Sequence, residues 1–487
     1  MLVVGLDLGT QSCKAVVCDE TLAVRGQHSI KYGTNYPEPD HAEQDVAVWE
    51  AALAPAIGKA LEEAGAKPED IAAVAVSGQL DGCVAVNAQG AAIHPALIWQ
   101  DKRATREAEV VPARALFART GQVADASHMA PKIRWLKAHT KAVRFHQPVT
   151  FLVERLCGEA VIDPALASTT MLFSLADRTW AKDLLAAFEI DPAMLPAIEP
   201  TCSIAGKITA AGAKLTGLRA GTPVAVGTGD DFCTPLGAGV VAAERVLICA
   251  IGTAEVVGAL SMSLVLDDAP EPMVETHLYP TDTYFIENPG WLSGGAVRWA
   301  LRALNVADDK EFDALAAAAP PGAGGVTFIP ALSGAMAPVW RPHARGTFHG
   351  LSVSHERSHL ARAVLEGLAF ACRDVSERLA HMGLATDRVL LLGGGSRSDT
   401  WSQIRADVLG KPHDVAWSAD TCPVGAAMIA AVAAGVHSDL AAAAAQLPGK
   451  AKSFTPSARQ DDAYARYQQL VAQLAPLASK PWHRDGT

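Results

Sequence analysis

The segment Asp7-Leu8-Gly9-Thr10-Gln11-Ser12-Cys13-Lys14 ends an apolar run on a carboxylate, turns tightly through small polar residues and returns with a cation. That order of residue types suits a metal-bound phosphate. Asp7 would hold Mg²⁺, directly or through water, while Thr10, Gln11, Ser12 and Lys14 would face phosphate oxygens. An ordinary hairpin built from turn-forming residues accounts for this segment alone equally well. A second segment shifts the balance toward phosphate. Leu247-Ile248-Cys249-Ala250-Ile251-Gly252-Thr253 repeats the apolar run and the Gly-Thr bend, and another strand-like run, Glu255 to Leu260, follows it. Two such bends facing each other across a cleft can hold a polyphosphate, because glycine lets backbone N–H groups approach and threonine hydroxyls add donors.

Ala225-Val226-Gly227-Thr228-Gly229-Asp230-Asp231-Phe232 places paired carboxylates directly after a further apolar run. An acid at such a strand end would take the proton of a substrate hydroxyl as it attacks a γ-phosphoryl group. Capping of the next helix is the competing role, and Asp230 and Asp231 can divide the two roles between them. Leu390 to Leu392 run into Gly393, Gly394 and Gly395, and Asp399 opens a helical stretch. Backbone there can approach a nucleotide closely, with Ser398 beside it and Gly425 and Ala426 completing an adenosine pocket. The same stretch nearly matches a dinucleotide fingerprint, Gly393-x-Gly395-x-x-Ser398 with Asp414 at the ribose position, which would make the chain an NAD-dependent dehydrogenase. Too little chain follows it for two mononucleotide-binding halves. Ser293-Gly294-Gly295-Ala296 either offers backbone N–H groups to the nucleotide or is a plain helix start.

These residues sit on a chain of 487 residues, half of them hydrophobic, which is ample for a large core and excludes disorder and small disulfide scaffolds. Acids outnumber bases 52 to 41, for a formal net charge of -11, so the surface repels polyanions and argues against a nucleic-acid or anionic-membrane binder. Nine scattered cysteines without a C-x-x-C pair fit a reduced, cytoplasmic protein with no structural zinc. The N-terminus has no basic region ahead of its apolar run, so no signal peptide is expected. The most membrane-like window, Val246 to Leu266, holds Glu255 at its middle and reads better as two buried strands around a turn.

Apolar strand-like runs alternate with amphipathic helical stretches, the pattern of an α/β protein. Ile71 to Val76 reads as a buried strand, Val48 to Ala64 as a helix ending near Gly65, and the Ala-rich Leu440 to Gln446 as helix. The Gly-Thr bends recur at a spacing of about 245 residues, which implies two lobes of related build with a boundary near Ala242 or Ala243.

The sequence resembles the FGGY family of carbohydrate kinases almost from end to end. The marks are Asp7-x-Gly9-Thr10, Pro37-Glu38-Pro39-Asp40-His41-Ala42-Glu43-Gln44-Asp45, Ser77-Gly78-Gln79, Trp99-Gln100-Asp101-Lys102-Arg103, Gly229-Asp230, Ile251-Gly252-Thr253, Pro342-x-Ala344-Arg345-Gly346 and Gly393-Gly394-Gly395-Ser396-Arg397-Ser398. The resemblance implies the two-lobed, ribonuclease H-like fold of the actin-like ATPases, with an N-terminal lobe over 1–243 and a C-terminal lobe over 244–487. It implies an enzyme using ATP and Mg²⁺. Asp230 would be the catalytic base, Asp7 the magnesium-associated acid, Thr10 and Thr253 the phosphate hairpins, and Gly394, Gly395 and Ser398 the adenosine region. Closure of the lobes would bring hydroxyl and γ-phosphoryl into line and exclude water.

Within the family the chain is most similar to the kinases of D-xylulose, which implies phosphorylation of D-xylulose to D-xylulose 5-phosphate. It departs from them at Gly78-Gln79-Leu80-Asp81-Gly82, where they carry Gly-Gln-Met-His-Gly. An acceptor-only carboxylate stands in place of an imidazole, which would favour a polyol or a different ketose, of the L-xylulose, ribulose or erythritol type. Asp231-Phe232-Cys233 after the base, and Ser333-Gly334-Ala335-Met336, are further departures. Candidate sugar contacts are Gln79, Leu80, Asp81, Trp99, Asp101 and Asp230, with Trp99 offering a flat face to C–H groups or serving in core packing. Arg103 pairs with Asp101 in the simplest reading. His41 and His128 have no ligand-spaced partner and are assigned no role. A non-catalytic actin-like ATPase is the alternative from another class. The expected partners are small molecules, the sugar and ATP, and family analogy allows a homodimer.

Overall fold

The computed structural model describes residues 1–479. The chain forms two compact units. One comprises Met1–Ala242 with Thr276–Tyr284 and Asp420–Pro448; the other comprises Ala243–Glu275, Phe285–Ala419 and the chain from Gly449 onward. The division is therefore more than a single cut, because two segments of the C-terminal half belong to the first unit.

The first unit is built on a sheet whose strands are β1 (Leu2–Leu8), β2 (Ser12–Cys18), β3 (Val24–Lys31), β4 (Ile71–Gly78), β5 (Ile204–Lys207) and β6 (Pro223–Ala225), in the order β5-β6-β4-β1-β2-β3. β1 pairs antiparallel with β2 and parallel with β4, and β2 pairs antiparallel with β3. The residues of β4 are apolar on both faces, as a strand covered on both sides requires. The helix Val46–Ala64 starts where Asp45 accepts from the Ala47 N–H, and it ends in Gly65 at φ 63.

The second unit repeats this plan. Its strands are β7 (Val246–Ile251), β8 (Ala254–Ser261), β9 (Tyr284–Leu292), β10 (Arg388–Leu392), β11 (His413–Val415) and β12 (Lys452–Phe454), which run β12-β11-β10-β7-β8-β9. β7 pairs antiparallel with β8 and parallel with β10, as β1 does with β2 and β4. The half-chain repeat seen in the sequence is thus a repeated sheet topology, and Val246 to Ser261 is a buried hairpin. No helix among the described residues is long and apolar enough to cross a membrane.

β1 is clamped from one face by the helix Cys422–Ala433, and Gly5 is the point of closest approach. A Cβ there would lie 2.0 Å from the Pro423 carbonyl oxygen and 2.6 Å from the Ala427 nitrogen. Both obstacles are backbone, so Gly5→Ala is expected to lower the melting temperature by 10 °C or more, or to abolish soluble expression. A thermal melt within about 2 °C of wild type would show that strand and helix can separate at no cost. The same helix corrects an expectation. Gly425 is the contact point for the Cys233 carbonyl, 2.2 Å from where its Cβ would stand, and Ala426 is fully buried. Small residues serve helix packing there, so the two do not line an adenosine pocket.

Candidate active site

Three neighbouring strand ends assemble the acidic centre. In register, Leu8 of β1 lies beside Gly78 of β4, and Gly78 beside Gly229 of the short strand Thr228–Gly229. Gln79 and Asp230 therefore leave adjacent carboxyl ends, two residues past the point where Asp7 faces Ser77. The carboxyl ends of parallel strands are where open α/β sheets expose their ligand sites. Asp230 opens the helix Asp230–Gly237, whose N-cap is Gly229, so Asp230 and Asp231 both lie in its first turn. The peptide dipoles of that turn favour negative charge.

Crowding of carboxylates opposes it. Burial pushes the Asp7 carboxyl up to about 6, against the pull of the Lys14 ammonium. Burial, then the charges of Asp231 and Asp7, hold Asp230 well above the usual carboxylate range. Asp231 is pushed up to about 7 by burial and by Asp81. Among the described residues, the buried Asp7 Oδ1 has no hydrogen-bond partner. An orphaned oxygen in a cluster of like charges is a donor set that fits a hard cation such as Mg²⁺.

The sugar-side candidates divide. Gln79 is buried, donates through Nε2 to Gln44 Oε1 at 2.9 Å, and leaves its own Oε1 without a partner. Leu80 packs against Gly229, the residue before Asp230. Asp81 takes a left-handed backbone, φ 62, fixed by its N–H donating to Gln147 Oε1 at 2.9 Å. Trp99 is 36% exposed, so it is no core residue, and its Nε1 donates to Thr10 Oγ1 at 2.9 Å. Asp101 departs from expectation. It is fully buried and its carboxylate already takes the Ala42 N–H at 2.7 Å and the Arg103 guanidinium at 2.7 Å. With its lone pairs spent on the loop, Asp101 holds the site's wall rather than a sugar hydroxyl.

Sequence reasoning passed over three residues. His128, given no role, places Nδ1 3.3 Å from Asp81 Oδ1. Lys132 is buried beneath it, donating to the carbonyls of Asp81 and Ile98 at 2.8 Å each and to that of Ser127. Burial pulls its ammonium down to about 8, with the charges of Asp81 and Asp101 opposing. Gln44 is buried between the sugar-side and phosphate-side residues. Only Gln44 left a signal, in the Glu43-Gln44-Asp45 mark; nothing near His128 or Lys132 in sequence points to Asp81.

In the first hairpin Gly9 donates to the Ser12 carbonyl at 3.0 Å, and Tyr32 Oη donates to the Gly9 carbonyl at 2.6 Å. Gln11 is exposed at the tip, and Thr10 and Ser12 are half-buried. Lys14, in register with Asp7, pairs with Asp420 Oδ1 at 2.6 Å. In the second hairpin Gly252 donates to the Ala254 carbonyl at 2.8 Å, and Arg298 donates to Thr253 Oγ1 at 2.8 Å. The N–H groups of Gly294 and Gly295 donate to the carbonyls of Gly252 at 3.2 Å and Thr253 at 3.0 Å, so these glycines brace the hairpin. A Cβ on Gly294 would lie 2.3 Å from the Gly252 oxygen, which is why glycine stands there. At the glycine turn, Gly393 has φ 78 and Gly394 faces open space. Gly395 lies against Ile251, and Ser398 caps the helix Asp399–Leu409 and donates to Asp313 at 2.8 Å.

The profile of the N-terminal domain of the FGGY family of carbohydrate kinases matches residues 2–237, and that of the C-terminal domain matches residues 247–434. The chain belongs to the FGGY family of carbohydrate kinases. It is 31% identical to the xylulose kinase of Escherichia coli (strain K12) over 489 residues, covering 97% of this chain and 99% of that one. It is also 31% identical to the glycerol kinase of Bordetella parapertussis over 520 residues, covering 99% and 98%. The crystal structure of xylulose kinase from Rhodospirillum rubrum superposes with a TM-score of 0.87 at 29% identity, over 99% of this chain and 100% of that one. The fold is accordingly the two-domain, actin-like ATPase fold of FGGY kinases. ATP as phosphoryl donor and a small polyhydroxy acceptor follow from the family.

Proposed function

We propose that the chain transfers the γ-phosphoryl group of ATP to D-xylulose, giving D-xylulose 5-phosphate, with Asp230 as general base. The observation that carries the reading is the carboxylate at the end of Thr228–Gly229, raised by burial and by Asp231 and Asp7, on the strand end beside that of Gln79, whose Oε1 is open. A carboxylate held above its usual range is a stronger proton acceptor for the hydroxyl than an ordinary aspartate. Gln79 and Asp81 accept hydrogen bonds from acceptor hydroxyls, Leu80 walls the base, and Trp99 presents its exposed face. Thr10, Gln11, Ser12 and Lys14 in the first unit, with Gly252, Thr253, Gly394 and Gly395 in the second, are assigned to the nucleotide. Lys14 exchanges Asp420 for phosphate oxygens. Ser398 stays the helix cap that shapes the adenosine turn.

Asp7 is the residue assigned to Mg²⁺, on the strength of its orphaned oxygen. When bound, the cation neutralises phosphate charge, which in a loose phosphoryl-transfer transition state matters alongside alignment. Asp230 holds the proton, Gln79 and Asp81 orient the acceptor, and Leu80 keeps water from the base.

A second reading has its own observation. Asp81 brings a second carboxylate to the acceptor side of the base, and with burial it raises Asp231 to about 7, so that Asp231 can donate as well as accept. Such a floor suits an acceptor carrying hydroxyls alone, as in glycerol or a tetritol, better than a ketose carbonyl. A coupled ADP-release screen over D-xylulose, L-xylulose, ribulose, glycerol and erythritol separates the two. D-xylulose is expected to give the highest kcat/KM. A polyol exceeding it tenfold would transfer the assignment to a polyol kinase, and no acceptor-stimulated ADP release at all would refute the kinase reading.

A further inference from the structure

We propose that Gln44 is a positioning residue that ties the acceptor-side Gln79 to the phosphate hairpin at Thr10, so that one buried amide sets both binding sites. The inference rests on the assignment of Gln79 to the acceptor and Thr10 to the nucleotide. Gln44 is 1% exposed and has every hydrogen-bonding position of its amide in use. Nε2 donates to the Thr10 carbonyl at 2.6 Å and to Thr34 Oγ1 at 3.0 Å. Oε1 accepts from Trp49 Nε1 at 3.0 Å and from Gln79 Nε2 at 2.9 Å.

The direction of this chain is dictated by chemistry. An indole N–H only donates and a backbone carbonyl only accepts. Oxygen of Gln44 must therefore face Trp49, and its NH2 must face Thr10. Gln79 then has to present its own NH2 to Gln44, which turns its Oε1 away from the network. That oxygen is buried and has no partner among the described residues. It can only accept, so the acceptor molecule must give it an O–H. A second link reaches the same residue independently, because Trp99 Nε1 donates to Thr10 Oγ1 at 2.9 Å. Thr10 is thus held by its carbonyl from Gln44 and by its hydroxyl from Trp99, both on the acceptor side.

An acceptor hydroxyl on Gln79 Oε1 locks the Gln79 amide, the amide locks Gln44, and Gln44 locks the Thr10 carbonyl. Nucleotide binding is then tighter with acceptor present, and by linkage acceptor binding is tighter with nucleotide present.

The test measures the dissociation constant of a non-hydrolysable ATP analogue with Mg²⁺, with and without a saturating acceptor found active in the screen, together with kcat and acceptor KM. Wild type is expected to bind the analogue at least fivefold more tightly with acceptor present. Gln44→Leu is expected to bring that ratio to about one and to raise acceptor KM tenfold or more, leaving acceptor-free analogue binding within about threefold. Above the pH at which its buried carboxyl ionises, Gln44→Glu keeps the oxygen that serves Trp49 and Gln79 but loses the donor to Thr10. It should hold acceptor KM within about threefold while losing the ratio, a split that a merely structural role would not produce. If Gln44→Leu fails to fold, Gln44→Glu decides by the same ratio. A folded variant that keeps the wild-type ratio within twofold would overturn the proposal while an active wild type leaves the kinase reading standing. A wild type that phosphorylates no acceptor would overturn both.

Discussion

Asp230→Asn is expected to lower kcat by about 10²–10⁴-fold while an ATP analogue binds within a few-fold of wild type, the signature of a lost general base. Asparagine keeps the shape of the side chain and removes only its capacity to accept the proton, so the nucleotide contacts survive. Steady-state kinetics beside a binding titration check this, and near wild-type turnover in purified Asp230→Ala would refute the role. The wild-type enzyme should also lose kcat on acidification well above pH 4, since burial, Asp231 and Asp7 all hold the base above the usual carboxylate range. Asp230→Asn should abolish that limb.

The same shift makes a prediction about stability, and its sign is opposite to that for activity. A carboxyl raised in the folded state keeps its proton more tightly there than when unfolded. Its ionisation costs stability progressively as pH rises from the unfolded value near 4 through the raised one. Above that window the ionised Asp230 opposes folding, and the neutral Asn relieves the cost. Asp230→Asn should therefore melt several degrees higher than wild type at pH 8. A variant inactive yet more stable would mark the cluster as strain kept for function.

Glu255→Leu is expected to destabilise the protein by about 3–5 kcal/mol, a fall of roughly 6–20 °C in melting temperature. Glu255 and Arg405 are both fully buried and pair through both carboxylate oxygens, with Ser293 Oγ donating to Glu255 at 2.7 Å. Removing one partner leaves the guanidinium uncompensated in a low-dielectric interior, which costs far more than the pair itself contributes. The double variant Glu255→Leu/Arg405→Met should recover most of the loss, because two apolar side chains of similar volume carry no desolvation penalty. Urea denaturation of Glu255→Leu, Arg405→Met and the double variant measures this. A double variant as unstable as Glu255→Leu would show that the ion pair is a net source of stability, and additive single losses would show that the two residues do not act as a pair. Glu255 lies two residues beyond Thr253, and Ser293 precedes the glycines that brace the hairpin. The single variant should therefore also raise the KM for ATP.

Much of this protein was legible in residues adjacent along the chain. The two hairpins, the strand ends at Asp7 and Asp230 and the helix Val46–Ala64 depend on periodicity, glycine and capping residues, all of which act within a few positions. The duplicated build showed because the strand–Gly-Thr–strand pattern recurs, and the sheets repeat it strand for strand. The carboxylate pair Asp230-Asp231 was visible as chemistry, since a strand leading into two acids leaves few roles for them.

What each polar side chain is free to do was decided by partners far away in sequence. Asp101 and Gln79 looked alike as sugar ligands, yet Arg103 and Ala42 engage the carboxylate of one, while the Trp49–Gln44 chain leaves an oxygen of the other open. Gly294 and Gly295 carry a nucleotide-binding spelling, but the Gly252 and Thr253 carbonyls take their N–H groups. Gly425 was a pocket residue by spelling and is a helix contact by packing. His128 and Lys132 gain their place beneath Asp81 solely through folding. Local order along a chain sets backbone geometry, whereas the hydrogen-bonding capacity left to a buried group is whatever its spatial neighbours have not already used.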